Sequence, residues 1–344
     1  MKNEFKGKRI LVTGGTGSIG SMIVKKLLEY NPKQVRVFSR DETKQFELAQ
    51  TLNAGIKVNF LIGDVRDKER LNMAMENIDI VFHAAALKHV DSCERNPFEA
   101  VKTNVQGTQN IIDCAFENKV DKVIGISTDK ATDPANVMGC TKLLAEKIML
   151  ATYFYKGNRK TKFCFVRFGN VLGSRGSVVP LFIRQAREGG PLTISDPNMT
   201  RFLMTIEDAV NLVFKAAEIM KGREIFIFKM PTVRISDLAK AVILSVQEKY
   251  ESIPKNIKTK IIGKKNGERE HEKLLTNDET MNALETKDMF IILPLDINGV
   301  FEIKDRDKEY PQSRKCKSID YNSKTGIRLS IKEIQKMFKQ AKIL

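Results

Sequence analysis

Thr128, Asp129 and Lys130 are the residues of this chain whose types and spacing are best suited to chemistry. They place a hydroxyl, a carboxylate and an ammonium on consecutive positions. They directly follow Val123–Ser127, an apolar stretch that predicts a strand. A carboxylate and an amine side by side can give and take protons during a reaction. The trio therefore predicts a site of acid–base chemistry, and the alternative interpretation is a structural turn without activity.

A glycine-rich turn near the start of the chain predicts a second functional feature. Gly14, Gly17 and Gly20 recur at every third position after the apolar stretch Ile10–Thr13, and a helical pattern follows at Met22–Tyr30. A strand, a tight turn and a helix N-terminus in this order let the backbone approach a pyrophosphate, whose charge the helix dipole favours. The expected dinucleotide-binding residues are Gly14, Thr16, Gly17, Ser18, Ile19 and Gly20.

The residues after the second predicted strand bear on which dinucleotide binds. Ser39 and Arg40 stand where a carboxylate would favour NAD by binding the ribose 2′-hydroxyl, and Lys44 follows one turn later. Serine, arginine and lysine suit the 2′-phosphate of NADP instead, so NADP is the predicted cofactor and NAD the less favoured one. The alternative is that Asp41 caps the following helix while Arg40 is a solvated charge.

Two further strand ends are expected to line the same cofactor site. Asp64 and Val65 offer a carboxylate and a small apolar contact for adenine. His83 is expected to be a packed residue at the end of its strand rather than a base. Three small residues that follow it let a cofactor pass close to the backbone, and these are Ala84, Ala85 and Ala86.

Short apolar strands alternate with helices through the first half of the chain, which predicts an α/β fold with a doubly wound parallel sheet. Ligands of such sheets bind at the carboxyl ends of the strands, where the residues above lie. The predicted strands are Ile10–Thr13, Val35–Phe38, Val58–Ile62, Ile80–His83, Val123–Ser127 and Phe163–Arg167. The predicted helices are Met22–Tyr30, Glu42–Leu52, Lys68–Met75, Phe98–Phe116 and Gly139–Tyr153.

The pattern becomes less regular after residue 168, where glycine and proline punctuate shorter elements. This change predicts a dinucleotide-binding domain at 1–168 and a smaller substrate-binding lobe with a C-terminal segment at 169–344. Parts of 203–245 are expected to return to the main body, through helices near Ile206–Met220 and Ile235–Val246.

The composition is typical of a globular protein in a reducing compartment. The chain has 344 residues, of which 42% are hydrophobic and 29% charged. No apolar stretch approaches the roughly 18 residues of a membrane span, and Met1–Lys6 shows no apolar signal segment. The scattered cysteines lack metal-ligand spacing, which predicts reduced thiols in a cytoplasm and no metal site; they are Cys93, Cys114, Cys140, Cys164 and Cys316.

The formal net charge of +16 raises the question of nucleic-acid binding. A nucleic-acid-binding protein would concentrate this charge in a stripe with interleaved aromatic residues. Here lysines occur throughout the chain and are denser only between Lys255 and Lys317. The charge therefore predicts a lysine-rich surface, part of it facing an anionic nucleotide substrate, rather than binding to nucleic acid.

Several short segments together resemble a known family. They are Thr13–Gly20, Ser39–Glu42, Gly63–Asp67, His83–Val90, Lys102–Asn104, Ser127–Ala131, Arg167–Val171, Ser174–Pro180 and Met199–Phe202. The chain resembles the extended short-chain dehydrogenases/reductases, and within that group the UDP-N-acetylglucosamine 4,6-dehydratases of bacterial polysaccharide and glycan synthesis. The resemblance covers essentially the whole chain and implies a Rossmann-type fold.

The resemblance implies roles for the residues after the fifth strand. Family members carry a Tyr-x-x-x-Lys pair on the next helix, whose lysine holds the nicotinamide ribose; here the two positions are Met138 and Lys142. Methionine at the tyrosine position occurs in one branch of the family. Lys130 is then the implied C5 base, with its pKa lowered by Lys142 and the cofactor. Asp129 is the implied acid for the C6 oxygen, and Thr128 the partner of the C4 oxygen.

The resemblance also implies a site for a nucleotide sugar, UDP-N-acetylglucosamine. The family often has Gly-x-Arg-Pro-Gly-Glu-Lys before a short helix, whereas this chain has lysine at the arginine position, Lys265. A lysine keeps the positive charge for the nucleotide phosphates but lacks the two parallel hydrogen bonds that an arginine guanidinium can donate. Glu268 keeps its place for the nucleotide ribose, and His271 is expected in the helix rather than as a base. The expected substrate-binding residues are Lys88, Asn170, Ser177, Val178, Arg201, Lys265 and Glu268; Lys88 and Asn104 are also expected at the cofactor, with Asn104 ordering water or Lys142.

Two stereochemical outcomes at C5 occur in the family. Soluble members of about this length mostly invert, and Ser174–Val178 and Asp196–Phe202 resemble the inverting group. Phe168–Gly173 and Asn136–Gly139 also resemble the retaining group. Inversion would give UDP-2-acetamido-2,6-dideoxy-β-L-arabino-hexos-4-ulose. The alternatives are a retaining dehydratase, a nucleotide-sugar 4-epimerase or a non-catalytic nucleotide-binding protein, and the family implies a homo-oligomer, from dimer to hexamer.

Overall fold

The computed structural model describes residues 4–52, 55–294, 309–317 and 320–344. The expectations for Met1–Lys6 and for the lysine-dense stretch 255–317 lie partly outside these residues. Within them, the strands are β1 Arg9–Thr13, β2 Gln34–Ser39, β3 Val58–Ile62, β4 Ile80–His83, β5 Lys122–Ile126, β6 Lys162–Arg167, β7 Asn170–Val171, β8 Leu192–Ile194, β9 Thr200–Met204, β10 Ile225–Phe228, β11 Thr232–Arg234, β12 Thr259–Ile261, β13 Lys273–Leu275, β14 Ala283–Glu285, β15 Met289–Ile292, β16 Arg314–Lys315 and β17 Tyr321–Asn322.

Helices connect most of these strands. They are α1 Ser18–Leu28, α2 Glu42–Thr51, α3 Lys68–Met75, α4 Val90–Arg95, α5 Pro97–Ala100, α6 Gly107–Glu117, α7 Val137–Ala151, α8 Val178–Arg187, α9 Ile206–Ile219, α10 Ile235–Lys249, α11 Asn277–Thr280 and α12 Ile331–Gln340. A π-helical turn, Val101–Gln106, joins α5 to α6, so the single helix expected at Phe98–Phe116 is in fact three segments.

The main sheet has the strand order β3-β2-β1-β4-β5-β6-β10-β15-β14-β16. The strands from β3 to β10 run parallel, and β15, β14 and β16 add an antiparallel edge. The reversal of strand order at β1 places the connecting helices on opposite faces, because the crossovers are right-handed. The predicted doubly wound parallel sheet is thus confirmed.

The register brings the carboxyl ends of the central strands to one level. Thr13 at the end of β1 pairs with Phe38 on one side and His83 on the other, and His83 pairs with Gly125 of β5. The strands are rich in valine, isoleucine and phenylalanine, and β4 is buried at every position, as expected for strands covered on both faces. The segments that follow β1, β2, β4 and β5 therefore emerge side by side.

Two hydrophobic clusters divide most of the core. The larger one contains the main sheet with α1, α3, α6 and α9. Helix α10 packs against α8 and α12 in the second cluster, through Leu238, Val242 and Val246. The return of parts of 203–245 to the main body stays a prediction. The apolar face of α10 matches the amphipathic faces of those two helices rather than the sheet. The division of the chain at residue 168 stays a prediction.

Candidate active site

A cleft of about 820 Å³ runs along the carboxyl ends of the central strands. It lies where the strand order reverses, which is the usual ligand position in such sheets. Most of the residues that the sequence singles out line it: Gly14, Thr16, Gly17, Ser18, Ile19, Gly20, Ser39, Arg40, Lys44, Asp64, Val65, Ala84, Ala85, Ala86, Lys88, Thr128, Asp129, Lys130, Met138, Lys142, Asn170, Ser177 and Val178. Asn104, Arg201, Lys265 and Glu268 are not among the residues that line it.

The glycine-rich turn has the geometry that a dinucleotide requires. Gly14 has φ +64, and a Cβ there would lie 2.6 Å from the backbone nitrogen of Ala85. A Cβ at Gly20 would collide with the carbonyl oxygen of Gly14. Helix α1 starts at Ser18 after the N-cap Gly17, which has no side chain to cap the first N–H groups. Those N–H groups and the helix dipole form an anion site that fits a pyrophosphate.

Arg175 extends from the loop after β7 to the same turn. Its guanidinium donates to the carbonyl oxygen of Thr16, and its backbone N–H donates to Ser18 Oγ at 3.0 Å. Lys88 Nζ in turn donates to the Arg175 carbonyl oxygen at 2.8 Å. The sequence analysis did not single out Arg175 as a site residue. The available signal was a basic residue between Gly173 and Gly176, which both have positive φ.

The side chains after β2 divide between helix capping and the cleft. Asp41 caps α2 by accepting a hydrogen bond from the Lys44 N–H at 2.9 Å, and it also pairs with the Lys44 ammonium. Arg40 lines the cleft and lies 3.4 Å from Asp64 through Nη1 and Oδ2. Ser39 Oγ accepts a hydrogen bond from Thr16 Oγ1 at 3.1 Å. The capping role that the sequence offered as an alternative for Asp41 is therefore present, while Arg40 faces the cleft.

His83 is a packed residue, as the sequence predicts. Its ring lies 2.8 Å from Thr13 Oγ1 and 3.3 Å from Thr108 Oγ1. Burial, with a smaller effect from the charge of Lys142, lowers the pKa of His83 to about 3. The ring is therefore neutral at physiological pH and its two nitrogens are engaged with hydroxyl groups.

Asp129 and Lys130 form an ion pair in the short helical turn after β5, and the Lys130 side chain is 22% exposed. Lys130 Nζ lies 2.9 Å from Asp129 Oδ1, which also accepts a hydrogen bond from Thr128 Oγ1 at 2.9 Å. Asp129 is 1% exposed. On the other side, Lys130 Nζ lies 3.4 Å from Glu272 Oε1, a carboxylate that the sequence analysis did not single out. The predicted proton-transfer trio is therefore assembled, with one additional carboxylate.

The electrostatics of the two lysines differ from the sequence expectation. Burial alone would lower the pKa of Lys130, but the carboxylates of Asp129 and Glu272 outweigh burial and raise it. The expectation that Lys142 lowers the pKa of Lys130 is therefore wrong, because the pKa is raised in this structure. Burial instead lowers the pKa of Lys142 to about 8. The Nζ of Lys142 donates to the Ile126 carbonyl oxygen at 2.5 Å.

Burial also acts on the Asp129 carboxyl group. Removal from water, followed by the charge of Glu272, raises the pKa of Asp129 although Lys130 opposes this. A carboxyl group with a raised pKa can hold a proton and later release it, which is the property required of a general acid.

Four buried side-chain oxygens that line the cleft have no hydrogen-bond partner among the described residues: Thr103 Oγ1, Asp129 Oδ2, Asn170 Oδ1 and Ser177 Oγ. Buried polar atoms are nearly always paired in folded proteins, so their concentration here fits a polar ligand. Gly169 leaves space beside the buried Asp129 Oδ2, because a Cβ on it would lie 3.2 Å from that oxygen. Thr103 was not predicted; its position in the π-helical turn, a common feature of functional sites, is visible only in the structure.

Asn104 binds protein groups on both sides of its amide. Its side-chain amide donates to the Leu87 carbonyl oxygen and to Thr141 Oγ1, each at 3.0 Å, and accepts from the Leu87 N–H at 2.8 Å. These bonds use both N–H groups of the amide and one lone pair of its oxygen, and a role of Asn104 in ordering water or Lys142 stays a prediction. Asn104 ties the loop after β4 to helix α7.

Three predicted substrate residues are not among those that line the cleft. Arg201 donates to the carbonyl oxygens of Glu270 and Arg269 at 3.1 and 2.9 Å. Lys265 is exposed and pairs with Asp91 at 3.0 Å, while Glu268 accepts a hydrogen bond from the Lys265 N–H at 3.0 Å. All three residues therefore engage protein groups in this structure.

His271 is not in a helix, contrary to the sequence expectation. It forms a β-bridge with Thr200, and its Nδ1 lies 2.8 Å from Thr200 Oγ1. The segment leads into strand β13 because its backbone pairs with β9 rather than with itself.

Among the described residues, every helix is too short or too polar to span a membrane.

Comparison with known proteins identifies relatives along nearly the whole chain. The sequence model of a family described as "Polysaccharide biosynthesis protein" matches residues 10–294. A Methanocaldococcus jannaschii protein described as an uncharacterized membrane protein is 52% identical over 344 residues, which cover 100% of this chain and 99% of that protein. A UDP-N-acetylglucosamine 4,6-dehydratase (inverting) of Campylobacter jejuni is 47% identical over 292 residues, 84% of each chain.

Two further similarities bear on the fold and on the alternative activity. A UDP-glucose 4-epimerase of Rickettsia canadensis is 40% identical over 339 residues, which cover 97% of this chain and 96% of that one. The X-ray structure of Pen from Bacillus thuringiensis superposes with a TM-score of 0.88 and 43% identity, covering 98% of this chain and 99% of the other. Dehydratases and epimerases of nucleotide sugars therefore both occur among the relatives.

Proposed function

This chain belongs to the polysaccharide biosynthesis protein family, and on that premise we propose that it is a UDP-N-acetylglucosamine 4,6-dehydratase that uses NADP. Its relatives make it an enzyme of the nucleotide-sugar short-chain dehydrogenase/reductase type. The observation that carries the finer proposal is the Asp129–Lys130 ion pair, 2.9 Å apart after the end of β5, in the cleft that Met138 also lines. An acid and a base next to each other suit the removal of water.

The cleft fits the proposed cofactor. The N-terminus of α1 suits its pyrophosphate, Arg40 and Ser39 suit a 2′-phosphate, and Asp64 and Val65 suit the adenosine. Bound NADP would supply a hydride acceptor and donor for the sugar. Lys142 lines the cleft with its Nζ on the Ile126 carbonyl oxygen, and it is the proposed partner of the nicotinamide ribose.

The chain's own residues are proposed to carry the two proton transfers of the elimination. A proton that moves from Lys130 Nζ to Asp129 Oδ1, 2.9 Å away, makes the amine a base and the carboxyl group an acid at once. The amine then removes the C5 proton of the 4-keto sugar. The carboxyl group protonates the C6 hydroxyl, which leaves as water. Thr128 is the proposed hydrogen-bond partner of the C4 oxygen, and Asn170 and Ser177 of the sugar nucleotide.

We propose inversion at C5, which gives UDP-2-acetamido-2,6-dideoxy-β-L-arabino-hexos-4-ulose. The support is the 47% identity to a relative described as inverting. A retaining dehydratase is the alternative for the same site. A 4-epimerase is the second candidate activity, supported by the Rickettsia relative that matches nearly the full chain. The Asp129–Lys130 pair favours the dehydratase, because a 4-epimerase removes no proton from C5 and expels no hydroxyl group from C6.

One experiment separates these activities. The purified protein is incubated with UDP-N-acetylglucosamine and NADP in deuterium oxide, and early products are followed by NMR. A 4-keto-6-deoxy sugar with solvent deuterium at C5 and L-arabino configuration supports the proposal. A D-xylo product identifies a retaining dehydratase. Interconversion at C4 without loss of water identifies an epimerase and contradicts the dehydratase function.

The setting of the enzyme is also a proposal. All five cysteines are unpaired in the structure, and a cytoplasmic location would keep them reduced. We propose a homo-oligomer without a nucleic-acid partner, in line with the resemblance and with the dispersed lysines.

A further inference from the structure

Glu272 brings a second carboxylate to the Asp129–Lys130 pair from a distant part of the chain. It immediately precedes β13 and is 4% exposed. Its Oε1 lies 3.4 Å from Lys130 Nζ and 3.8 Å from Arg201 Nε. Its backbone N–H donates to Ser323 Oγ at 2.9 Å, which fixes the position of the residue.

One carboxylate would suffice to neutralise Lys130. Asp129 already lies 2.9 Å from Nζ and is fully buried. A second buried carboxylate is costly unless a further positive charge or a further proton balances it. Arg201 supplies part of that balance, but its guanidinium also binds the carbonyl oxygens of Arg269 and Glu270 and lies farther from Glu272 than Lys130 does.

We propose that Glu272 keeps a shared proton on the Asp129–Lys130 pair, so that the pair can form its acid and its base together. This inference rests on the dehydratase function proposed above. The proton resides on Lys130 in the resting pair and moves to Asp129 Oδ1 before the elimination. Lys130 then takes the C5 proton and Asp129 gives its proton to the departing hydroxyl group. The pair thereby returns to its resting state, and Glu272 is unchanged.

The charges around the pair agree with this role. The Glu272 carboxylate contributes to raising the pKa of both Asp129 and Lys130, whereas Arg201 opposes it at Lys130. Glu272 itself stays ionised: burial would raise its pKa, but Lys130, Arg201 and Arg269 together lower it. Glu272 is thus a positioning residue that acts through the pair.

The direct test is the pH dependence of turnover in Glu272→Gln. Removal of the negative charge should lower the pH at which the pair loses its shared proton and the pH at which it gains a second one. Both limbs of the kcat profile should therefore move to lower pH, by about 1 unit or more. Glu270→Gln is the matched control, because Glu270 is an exposed carboxylate paired with Lys264. Unshifted limbs in Glu272→Gln overturn the proposal.

A second measurement does not depend on turnover. The rate at which trinitrobenzenesulfonate modifies Lys130 is measured against pH by peptide mass spectrometry, without substrate. The midpoint should be lower in Glu272→Gln than in the wild type and unchanged in Glu270→Gln. If the glutamine variant does not fold, the wild type alone decides: a midpoint below the ordinary lysine value of about 10.4 overturns the proposal.

The two measurements also separate this inference from the proposed function. A shifted Lys130 midpoint without dehydration of UDP-N-acetylglucosamine by the wild type leaves the charge coupling intact and rejects the dehydratase function. Dehydration by the wild type with an unshifted Lys130 midpoint in Glu272→Gln supports the dehydratase function and rejects the role proposed for Glu272.

Discussion

Arg167 at the end of β6 and Glu146 of α7 form a forked, fully buried ion pair. Arg167 Nη2 lies 2.6 Å from Glu146 Oε2, and Nε lies 2.9 Å from Oε1. Glu146 also accepts a hydrogen bond from the hydroxyl of Ser127, one residue before Thr128. Since Glu146 follows Lys142 by one turn of α7, the pair fixes the relation between that helix and the end of β5.

Arg167→Met should therefore destabilise the protein strongly. The substitution leaves the Glu146 carboxylate buried without its main partner, which costs about 3–5 kcal/mol when one member of a buried ion pair is removed. Denaturant unfolding followed by circular dichroism measures the loss. Arg184→Met on α8, an exposed arginine, is the control and should change the free energy of unfolding by no more than about 0.5 kcal/mol. Equal effects of the two substitutions would contradict the structural role of the pair.

Arg40→Ala should weaken the preference for NADP over NAD. A charge-assisted hydrogen bond to the 2′-phosphate is worth about 1.5–3 kcal/mol, or roughly tenfold or more in affinity. Affinities of the wild type and the variant for both cofactors are compared by calorimetry. Arg187→Ala, at the far end of α8, should leave both affinities unchanged. If the wild type binds NAD as tightly as NADP, the assignment of Arg40 is wrong.

Lys130→Met should separate hydride transfer from elimination. The variant lacks the proposed C5 base, and loss of a general base costs about 10²–10⁴-fold in rate. Oxidation at C4 precedes that step and should persist, which cofactor reduction on addition of substrate reports by absorbance. Lys287→Met, an exposed lysine, is the control. Near-normal dehydration by Lys130→Met would show that another residue is the base.

Lys142 should make stability depend on pH in a defined direction. Its pKa is lowered to about 8 by burial, so the folded protein binds fewer protons than the unfolded chain between that value and the ordinary lysine value of 10.5. The free energy of unfolding of the wild type should therefore rise relative to that of Lys142→Met as the pH increases through this window. Below pH 8 the buried charge is a constant penalty of a few kcal/mol, and the methionine variant should be the more stable protein.

The measurement is denaturant unfolding of both proteins across that pH range. Lys147→Met changes an exposed lysine on the same helix and should show no pH-dependent difference from the wild type. A constant difference between the wild type and Lys142→Met would mean that the ammonium stays charged in the folded protein.

The parallel strands could be predicted because each is a short apolar stretch that is buried on both faces. The prediction of β3 at Val58–Ile62 and of α3 at Lys68–Met75 matches the structure residue for residue. The start of α1 could not be placed as well: the helix begins at Ser18, where its first turn carries the binding function and little of the apolar pattern. The periodic spacing of apolar residues indicates which face of a helix is buried. It is therefore weakest where the end of a helix faces a ligand instead of the core.

The contacts between distant segments were beyond the reach of the sequence pattern. Glu272 lies far along the chain from Lys130. Its neighbours in the sequence are mostly charged, so the sequence gives no sign that Glu272 is buried. The partners of Asn104 were also beyond prediction, because its amide bonds to backbone atoms of Leu87, which a list of residue types does not reveal. Residue types indicated the chemistry of the site, whereas the partners of each group depended on tertiary packing.

The antiparallel strand β15 pairs with β10 inside the main sheet, through Ile225–Ile292 and Phe226–Ile291. The flank of β10 therefore stays uncovered on the ribosome until more than four-fifths of the chain has been synthesised, and the nascent protein carries an open apolar strand edge in the meantime. An edge of this kind can recruit strands from other chains. Truncations that stop before β14 should for this reason aggregate during expression rather than accumulate as a free dinucleotide-binding domain.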